Sequence, residues 1–294
     1  HLPMLREAVR SHISPAPKLT DFGKQVVGQS ERKNLTKLNY QTLLNNIERF
    51  RKGSLITDID YQFLVSYDKW LRESGIAHNT RISRLRLLRA LLNEAKRRDI
   101  IHINPFDRFR IQQMVSKKGF LTIEQVHKLE KLVLKGQEDK IRDAFLIGCY
   151  TGLRFSDVIT LRNEHINGGW LTKKMAKTGF IVELPISELF GGKMMQLIEK
   201  YDGNIERVTK SLGSNSAVNK TLRSILDRIK ADPKITFHSS RHTFATLLGQ
   251  SGVQLTTIQK LLGHQKLQTT QIYSEVDRKA ITNDLRKGRK RTKQ

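Results

Sequence analysis

Four short stretches carry side chains whose types and spacing suit work on an anion: "TFHSSRHTFATLL", "YTGLRFSDVITL", "KMAKTGF" and "LLGHQKLQTTQIYSEV". In the first, His238 and Arg241 lie three residues apart and share one face of a helix. His238 and His242 also form an H-x-x-x-H pair, a spacing that binds zinc. Two features speak against a metal. Ser239 stands where a glutamate would follow His238, and Arg241 would set a fixed cation beside the ion. A histidine beside an arginine instead describes an anion site, with phosphate its natural guest. His242 is assigned to packing or support.

Arg154 sits among Leu153, Phe155, Val158 and Ile159, just after Gly152, which permits a tight backbone at a helix junction. An arginine in so apolar a setting needs a partner, and Asp157, three residues on, can hold it; a purely structural Arg–Asp pair is the alternative. His264 lies in a Leu-Leu-Gly-His corner, nine residues before Tyr273. Taken alone, that frame is equally a helix, a turn and a second helix that happen to carry the two.

Together, Arg154, Lys177, His238, Arg241 and His264 make a set of donors, and Tyr273 supplies one nucleophile. No paired carboxylates suited to two-metal phosphoryl chemistry stand out. Metal-free attack on a phosphodiester needs a nucleophile, stabilisation of the non-bridging oxygens, help in deprotonation and an acid for the leaving alkoxide. Free tyrosine ionises near pH 10, so a cationic pocket favours its phenolate. Two arginines suit the equatorial oxygens, and losing one such donor costs about 10²–10³ in rate. Lys177, on a hairpin tip, is placed to protonate the departing 5′ oxygen.

The chain that must position these groups has 294 residues, enough for one large domain or two ordinary ones. Lys plus Arg number 53 against 28 Asp plus Glu, a net of +25. Such an excess favours a polyanionic partner, nucleic acid before a membrane surface. No apolar run reaches the roughly 18 residues of a transmembrane helix, and no secretory signal opens the chain. The lone Cys149, inside "FLIGCYTG", excludes an internal disulfide, suggests a reducing compartment and reads as a buried packing residue.

Hydrophobic periodicity predicts helices from about residue 18 to 98. Tyr40, Leu43, Leu44, Ile47 and Phe50 form one stripe; Phe63, Leu64, Tyr67, Trp70 and Leu71 form another, stopped at Gly75. A third helix turns Ile82, Leu85, Leu88, Leu91, Leu92 and Ala95 inward and carries Arg81, Arg84, Arg86, Arg89, Lys96, Arg97 and Arg98. Those cations suit DNA phosphates, solvation of an exposed face being the alternative. Asn104-Pro105 ends this unit, and residues 106–118, with Lys117 and Lys118 as further DNA contacts, read as an interdomain linker. Thr122 and Gln125 then make a capping box. Gly169–Lys173 and Phe180–Leu184 form a hairpin around Lys177, Thr178 and Gly179, and helices resume near residue 190. The expected division is a linker or remnant at 1–17, a helical domain at 18–105, the linker, and a domain at 119–294 ending in a basic tail.

With these motifs the chain resembles the tyrosine recombinase (phage integrase) family. The family's Arg…Lys…His-x-x-Arg…His…Tyr series appears in order as Arg154, Lys177, His238, Arg241, His264 and Tyr273, flanked by "TGLRFSDV", "KTG", "HSSRHTFAT", "LLGH" and "TTQIYSEV". Asp157 occupies a position where many members carry Glu. The likeness covers roughly residues 18 to 285, and its wording is most similar to integrases of conjugative and mobilisable transposons. It implies a mainly α fold with a small antiparallel sheet, in which a helical core-DNA-binding domain and a mixed α/β catalytic domain clamp DNA. Such integrases usually carry a further N-terminal arm-binding domain, and residues 1–17 are expected to be a linker or the remnant of one. Tyr273 is implied to form a 3′-phosphotyrosyl bond and release a 5′ hydroxyl, with Asp157 and His242 in support and exchange proceeding through a Holliday junction. Neither cofactor nor metal is expected. The implied partners are double-stranded DNA at specific sites, a homotetramer on it, and accessory DNA-bending or excision proteins; Val276, Ile281 and Leu285 offer a stripe for docking on a neighbouring protomer. The expected location is the bacterial cytoplasm, with the nucleoid. A type IB topoisomerase or a catalytically silent DNA-binding protein are the rival readings.

Overall fold

The computed structural model describes residues 16–112 and 119–264. Lys117, Lys118, Tyr273, the Val276–Ile281–Leu285 stripe and the basic tail therefore lie outside the described residues. The chain divides into two compact units, residues 1–116 and 117–294.

In the first unit, four helices bury the stripes that the sequence sets at spacings of three and four: α1 (Leu19–Gly28), α2 (Asn34–Phe50), α3 (Tyr61–Glu73) and α4 (His78–Arg97). Asp60 starts α3 by accepting the Phe63 N–H at 2.7 Å, and Gly75, at φ +71°, lets the chain leave it. Ile82, Leu85, Leu88, Leu91, Leu92 and Ala95 of α4 are all buried. Residues 106–111, expected at the start of the linker, behave otherwise. Phe106 is buried in the first unit's core, and Phe109 and Ile111 pack on it. Asn104 explains the turn: its Oδ1 accepts the Phe106 N–H, while its Nδ2 donates to Asn93 Oδ1 at 2.6 Å.

The second unit is arranged around α6 (Gly136–Thr151), which is buried along its whole second half, from Ile141 to Thr151. That helix shows no one-sided stripe because neighbours cover it all round. Before it comes α5 (Ile123–Lys131), opened by the Thr122–Gln125 capping box. After it come the short α7 (Phe155–Val158) and a three-stranded antiparallel sheet in the order β1 (Ile166–Asn167), β2 (Trp170–Lys174), β3 (Ile181–Pro185). The expected hairpin is β2–β3, with Leu171 opposite Leu184 and Lys173 opposite Val182; β1 adds a strand too short for its sequence to announce. Five helices follow: α8 (Lys193–Lys200), α9 (Glu206–Thr209), α10 (Asn215–Asp227), α11 (Phe237–Gln250) and α12 (Leu255–Leu262). The described residues are thus mainly α with one small sheet, and no helix among them is long and apolar enough to cross a membrane.

Helices α6 and α11 approach closely because small residues meet at the crossing. A Cβ on Gly148 would lie 2.3 Å from Ser240 Oγ and 2.9 Å from Ser240 Cβ. Cys149, next to it, is buried, and burial pushes its thiol well above the usual range, as a packing residue requires. Gly148→Ala is expected to destabilise the protein by about 1–3 kcal/mol through overpacking, although alanine is the better helix former. Urea unfolding would show this as a lower midpoint with an unchanged slope.

Candidate active site

The site is assembled by two chain reversals and the first turns of α11, which meet around one buried arginine. Arg241, on the second turn of α11, is only 2% exposed. Its Nη1 donates to the Gly152 carbonyl at 2.8 Å and its Nη2 to the Leu262 carbonyl at 2.6 Å. These oxygens close α6 and α12, so the cation sits at the negative ends of two helices. Both helices turn away through a left-handed glycine, Gly152 at φ +66° and Gly263 at φ +63°. Neither glycine tolerates a side chain. A Cβ on Gly152 would lie 2.7 Å from Phe244 and 2.8 Å from Leu262, and one on Gly263 would lie 2.9 Å from Val182 of β3.

Each corner delivers one side chain. Arg154 follows Gly152 by two residues, is partly buried, and caps the start of α7. Its Nη1 is shielded from water yet has no acceptor among the described residues. His264 follows Gly263, and its backbone is tied twice to Gln259, N–H to carbonyl at 3.0 Å and carbonyl to Nε2 at 2.9 Å. His238 lies exposed on the first turn of α11, where the helix N-terminus adds partial positive charge. The start of α11 is itself fixed, since Asn219 Oδ1 accepts the Phe237 N–H at 2.7 Å.

Arg154, His238 and Arg241 lie close enough to His264 to act on its ionisation. Burial lowers the His264 pKa to about 4, helped by the charges of Arg241, Arg154 and His238. Of the residues expected to carry chemistry, the structure therefore gathers Arg154, His238, Arg241 and His264. Lys177 stands on the exposed turn between β2 and β3, and Tyr273 lies outside the described residues. His242 is buried behind the site, its ring packed edge-on to His238 with centroids 4.9 Å apart. Among the described residues no group of three or more His, Cys, Asp or Glu is placed to hold a metal ion.

Asp157 departs from expectation. It makes no ion pair with Arg154: it is fully buried, and its Oδ1 accepts the Ala176 N–H at 2.8 Å, at the turn that carries Lys177. Arg154 is the N-cap of α7, in extended backbone at φ −76° and ψ 159°, and the Asp157 carboxyl is turned to the Ala176 N–H instead. One lysine escapes sequence reasoning. Lys173 of β2 is 7% exposed, donates to the Thr160 carbonyl at 2.7 Å and lies 3.2 Å from His165 Nε2. Strand parity is the available signal, because Lys173 shares the face of buried Leu171.

In the first unit the α4 cations divide. Arg86 and Arg89 are exposed. Arg81 pairs with Asp68 at 3.1 Å, and one Nη of Arg84 is buried, so neither presents a fully solvated guanidinium. Arg97 is exposed but paired with Glu94.

The two site arginines should respond in opposite ways to the same substitution. Arg241→Lys loses both planar carbonyl contacts while leaving a charge buried, and is expected to cost about 2–4 kcal/mol of folding stability. Arg154→Lys removes a buried nitrogen that has no acceptor, and is expected to be neutral or mildly stabilising. Equilibrium denaturation of both variants checks the contrast.

Comparison with known proteins agrees with this architecture. A sequence model of the phage integrase family matches residues 119–280, and one of the phage integrase SAM-like domain matches residues 18–111. The chain is 27% identical over 242 residues to the tyrosine recombinase XerC of Oceanobacillus iheyensis, covering 76% of this chain and 78% of that one. In structure it is similar to lambda integrase, solved as a tetramer bound to a Holliday junction, with a TM-score of 0.72 at 19% identity over 90% of this chain and 80% of that one. It is equally similar to the Tn1549 transposon integrase, solved with circular intermediate DNA, with a TM-score of 0.72 at 19% identity over 92% and 99% of the two chains. The chain belongs to the phage integrase family and is a tyrosine recombinase, an enzyme that cleaves DNA strands and rejoins them.

Proposed function

We propose that the gathered cations bind one scissile phosphate and that Tyr273 is the nucleophile delivered to it. The observation that carries this reading is the Arg154 guanidinium: a shielded donor without an acceptor among the described residues, beside Arg241, His238 and a histidine held neutral. A phosphodiester oxygen supplies the missing acceptor and offsets the mutual repulsion. Arg154 and Arg241 then face the non-bridging oxygens, where charge grows in the phosphorane. His264, neutral at physiological pH, donates one hydrogen bond, while His238 assists removal of the phenol proton. The phenolate oxygen of Tyr273 bonds to phosphorus, the bond to the 5′ oxygen breaks, and Lys177 protonates that oxygen. The phosphotyrosyl bond conserves the energy of the broken ester for rejoining.

Arg86 and Arg89 of the first unit, together with Arg81, Arg84, Arg97 and, outside the described residues, Lys117 and Lys118, contribute phosphate contacts that set the position on DNA. Asp157 and His242 support the site. The assembly is a homotetramer on two DNA sites exchanging strands through a Holliday junction, the state in which the similar lambda integrase was solved. Integration and excision of a mobile element is the biological role favoured by the likeness to a transposon integrase and by the motif wording around the site.

Covalent capture tests the chemistry. A randomised library of nicked suicide duplexes is incubated with the protein, and DNA surviving denaturing purification is sequenced. Wild type is expected to retain covalent duplexes at a defined site; Tyr273→Phe retains none, and Arg154→Lys slows capture by about 10²–10³. Equal capture by Tyr273→Phe would refute the assignment. Joining of two captured sites identifies a recombinase, whereas relaxation of supercoils without pairing identifies topoisomerase behaviour.

A further inference from the structure

Strand β2 faces the protein interior with Leu171 and, two residues on, with a lysine. A buried ammonium is costly unless its protons find acceptors, so Lys173 requires an explanation. Its Nζ reaches the Thr160 carbonyl, just beyond the end of α7, at 2.7 Å. On its other side stands His165, whose Nδ1 accepts the Arg162 N–H at 2.9 Å. Further along the same hairpin, the Ala176 N–H donates to Asp157 of α7. The hairpin is therefore fastened at two points, three residues apart, to the segment that begins at Arg154. The second fastening lies one residue from Lys177.

We infer that Lys173 is a positioning residue for strand cleavage: by tying β2 to the Thr160 carbonyl it acts with Asp157 to hold the turn bearing Lys177 in register with Arg154. This inference rests on the reading of Lys177 as the acid for the leaving 5′ oxygen. A hairpin tied to the Arg154 segment at Asp157 alone is freer to rock, because beyond buried Met175 the turn is exposed and closed by its own Met175–Gly179, Met175–Phe180 and Thr178–Phe180 bonds. The second tie removes the rocking. The surroundings suit a constant tether. Burial holds Lys173 below the ordinary lysine range, and the Asp157 carboxylate opposes that shift; Arg162 and Glu164 add smaller, opposed effects. His165, lowered by burial and by the Lys173 charge, does not compete for the proton at neutral pH.

The test uses a nicked suicide duplex obtained by covalent capture, prepared with either oxygen or sulfur bridging phosphorus to the 5′ carbon. With oxygen, the bond to Tyr273 forms, the P–O5′ bond breaks and the oxygen takes a proton from Lys177. With sulfur, the P–S bond breaks and the thiolate leaves without a proton. Lys173→Met fills the same space without a donor. It is expected to slow single-turnover cleavage of the oxygen substrate by on the order of 10²-fold, the scale for a misplaced catalytic group. It should cleave the sulfur substrate at near the wild-type rate and bind DNA unchanged. Lys173→Gln, which keeps an N–H for Thr160, should fall between wild type and Met. Amide exchange at residues 176–179 should quicken in the Met variant. Equal losses on both substrates, or no loss on either, would overturn the inference. If Lys173→Met does not fold, Lys173→Gln carries the same comparison. If Lys177→Ala is slow on both substrates, the acid reading of Lys177 falls, and Lys173 is then judged by the exchange measurement alone.

Discussion

A single guanidinium organises the catalytic unit. Arg241 is anchored in a buried helix and donates to the last carbonyls of two others, at Gly152 and Leu262. Helix ends leave carbonyls that need donors, and a buried arginine needs acceptors, so each requirement answers the other. The bonds also fix direction. Arg154 leaves one of these ends and His264 the other, each within two residues of the bonded carbonyl. A lysine would offer a point charge at this spot; the planar fork of arginine satisfies two oxygens on separate elements at once.

Holding cations together has an electrostatic cost that the free protein bears. It adds to burial at His264, whose pKa is lowered to about 4, first by burial and then by the charges of Arg241, Arg154 and His238. The unfolded chain titrates near the ordinary 6.5. Between those values the unfolded chain binds more protons than the folded one. This residue's share of stability is therefore complete above about pH 6.5 and is lost as pH falls toward 4. On the proposed function, a bound phosphate reverses the balance, because an anion at the site favours every positive group around it. The same arithmetic holds for the whole chain, whose net charge of +25 repels itself and attracts a polyanion. Function and stability pull against each other here, and DNA reconciles them.

Much of this architecture is legible in the sequence. The inward residues of α4 follow from spacing alone, because that helix buries one face. The Thr122 capping box and the glycine corners at Gly152 and Gly263 are local signals, complete within a few residues. The β2–β3 hairpin around Lys177 is readable from strand propensity, whereas β1, two residues long, carries too little pattern. The illegible parts depend on partners far along the chain. Arg81 is engaged by Asp68, thirteen residues away on another helix. Asp157 turns from its neighbour Arg154 to the Ala176 N–H, nineteen residues on, a partner that only the folded hairpin supplies. Phe106 joins the first core although the preceding Asn104-Pro105 signals a stop. Arg142 and Asp143, both buried within α6, pair with each other, and Arg142 also with Asp139. Their other partners are distant, among them the Leu129 and Leu132 carbonyls for Arg142, and Lys200 and Tyr201 for Asp143.

The central claim is that the proposed phosphate site stands assembled before DNA arrives, with His264 held neutral by burial and by the cations around it. Imidazole titration of His264 by nuclear magnetic resonance, from about pH 5 to 8, reads this directly. In the free protein His264 is predicted to remain neutral throughout that range. On a captured suicide duplex it is predicted to begin protonating within the range, as the phosphodiester raises its pKa. A free-protein titration near the ordinary histidine value, unmoved by duplex, would contradict the account.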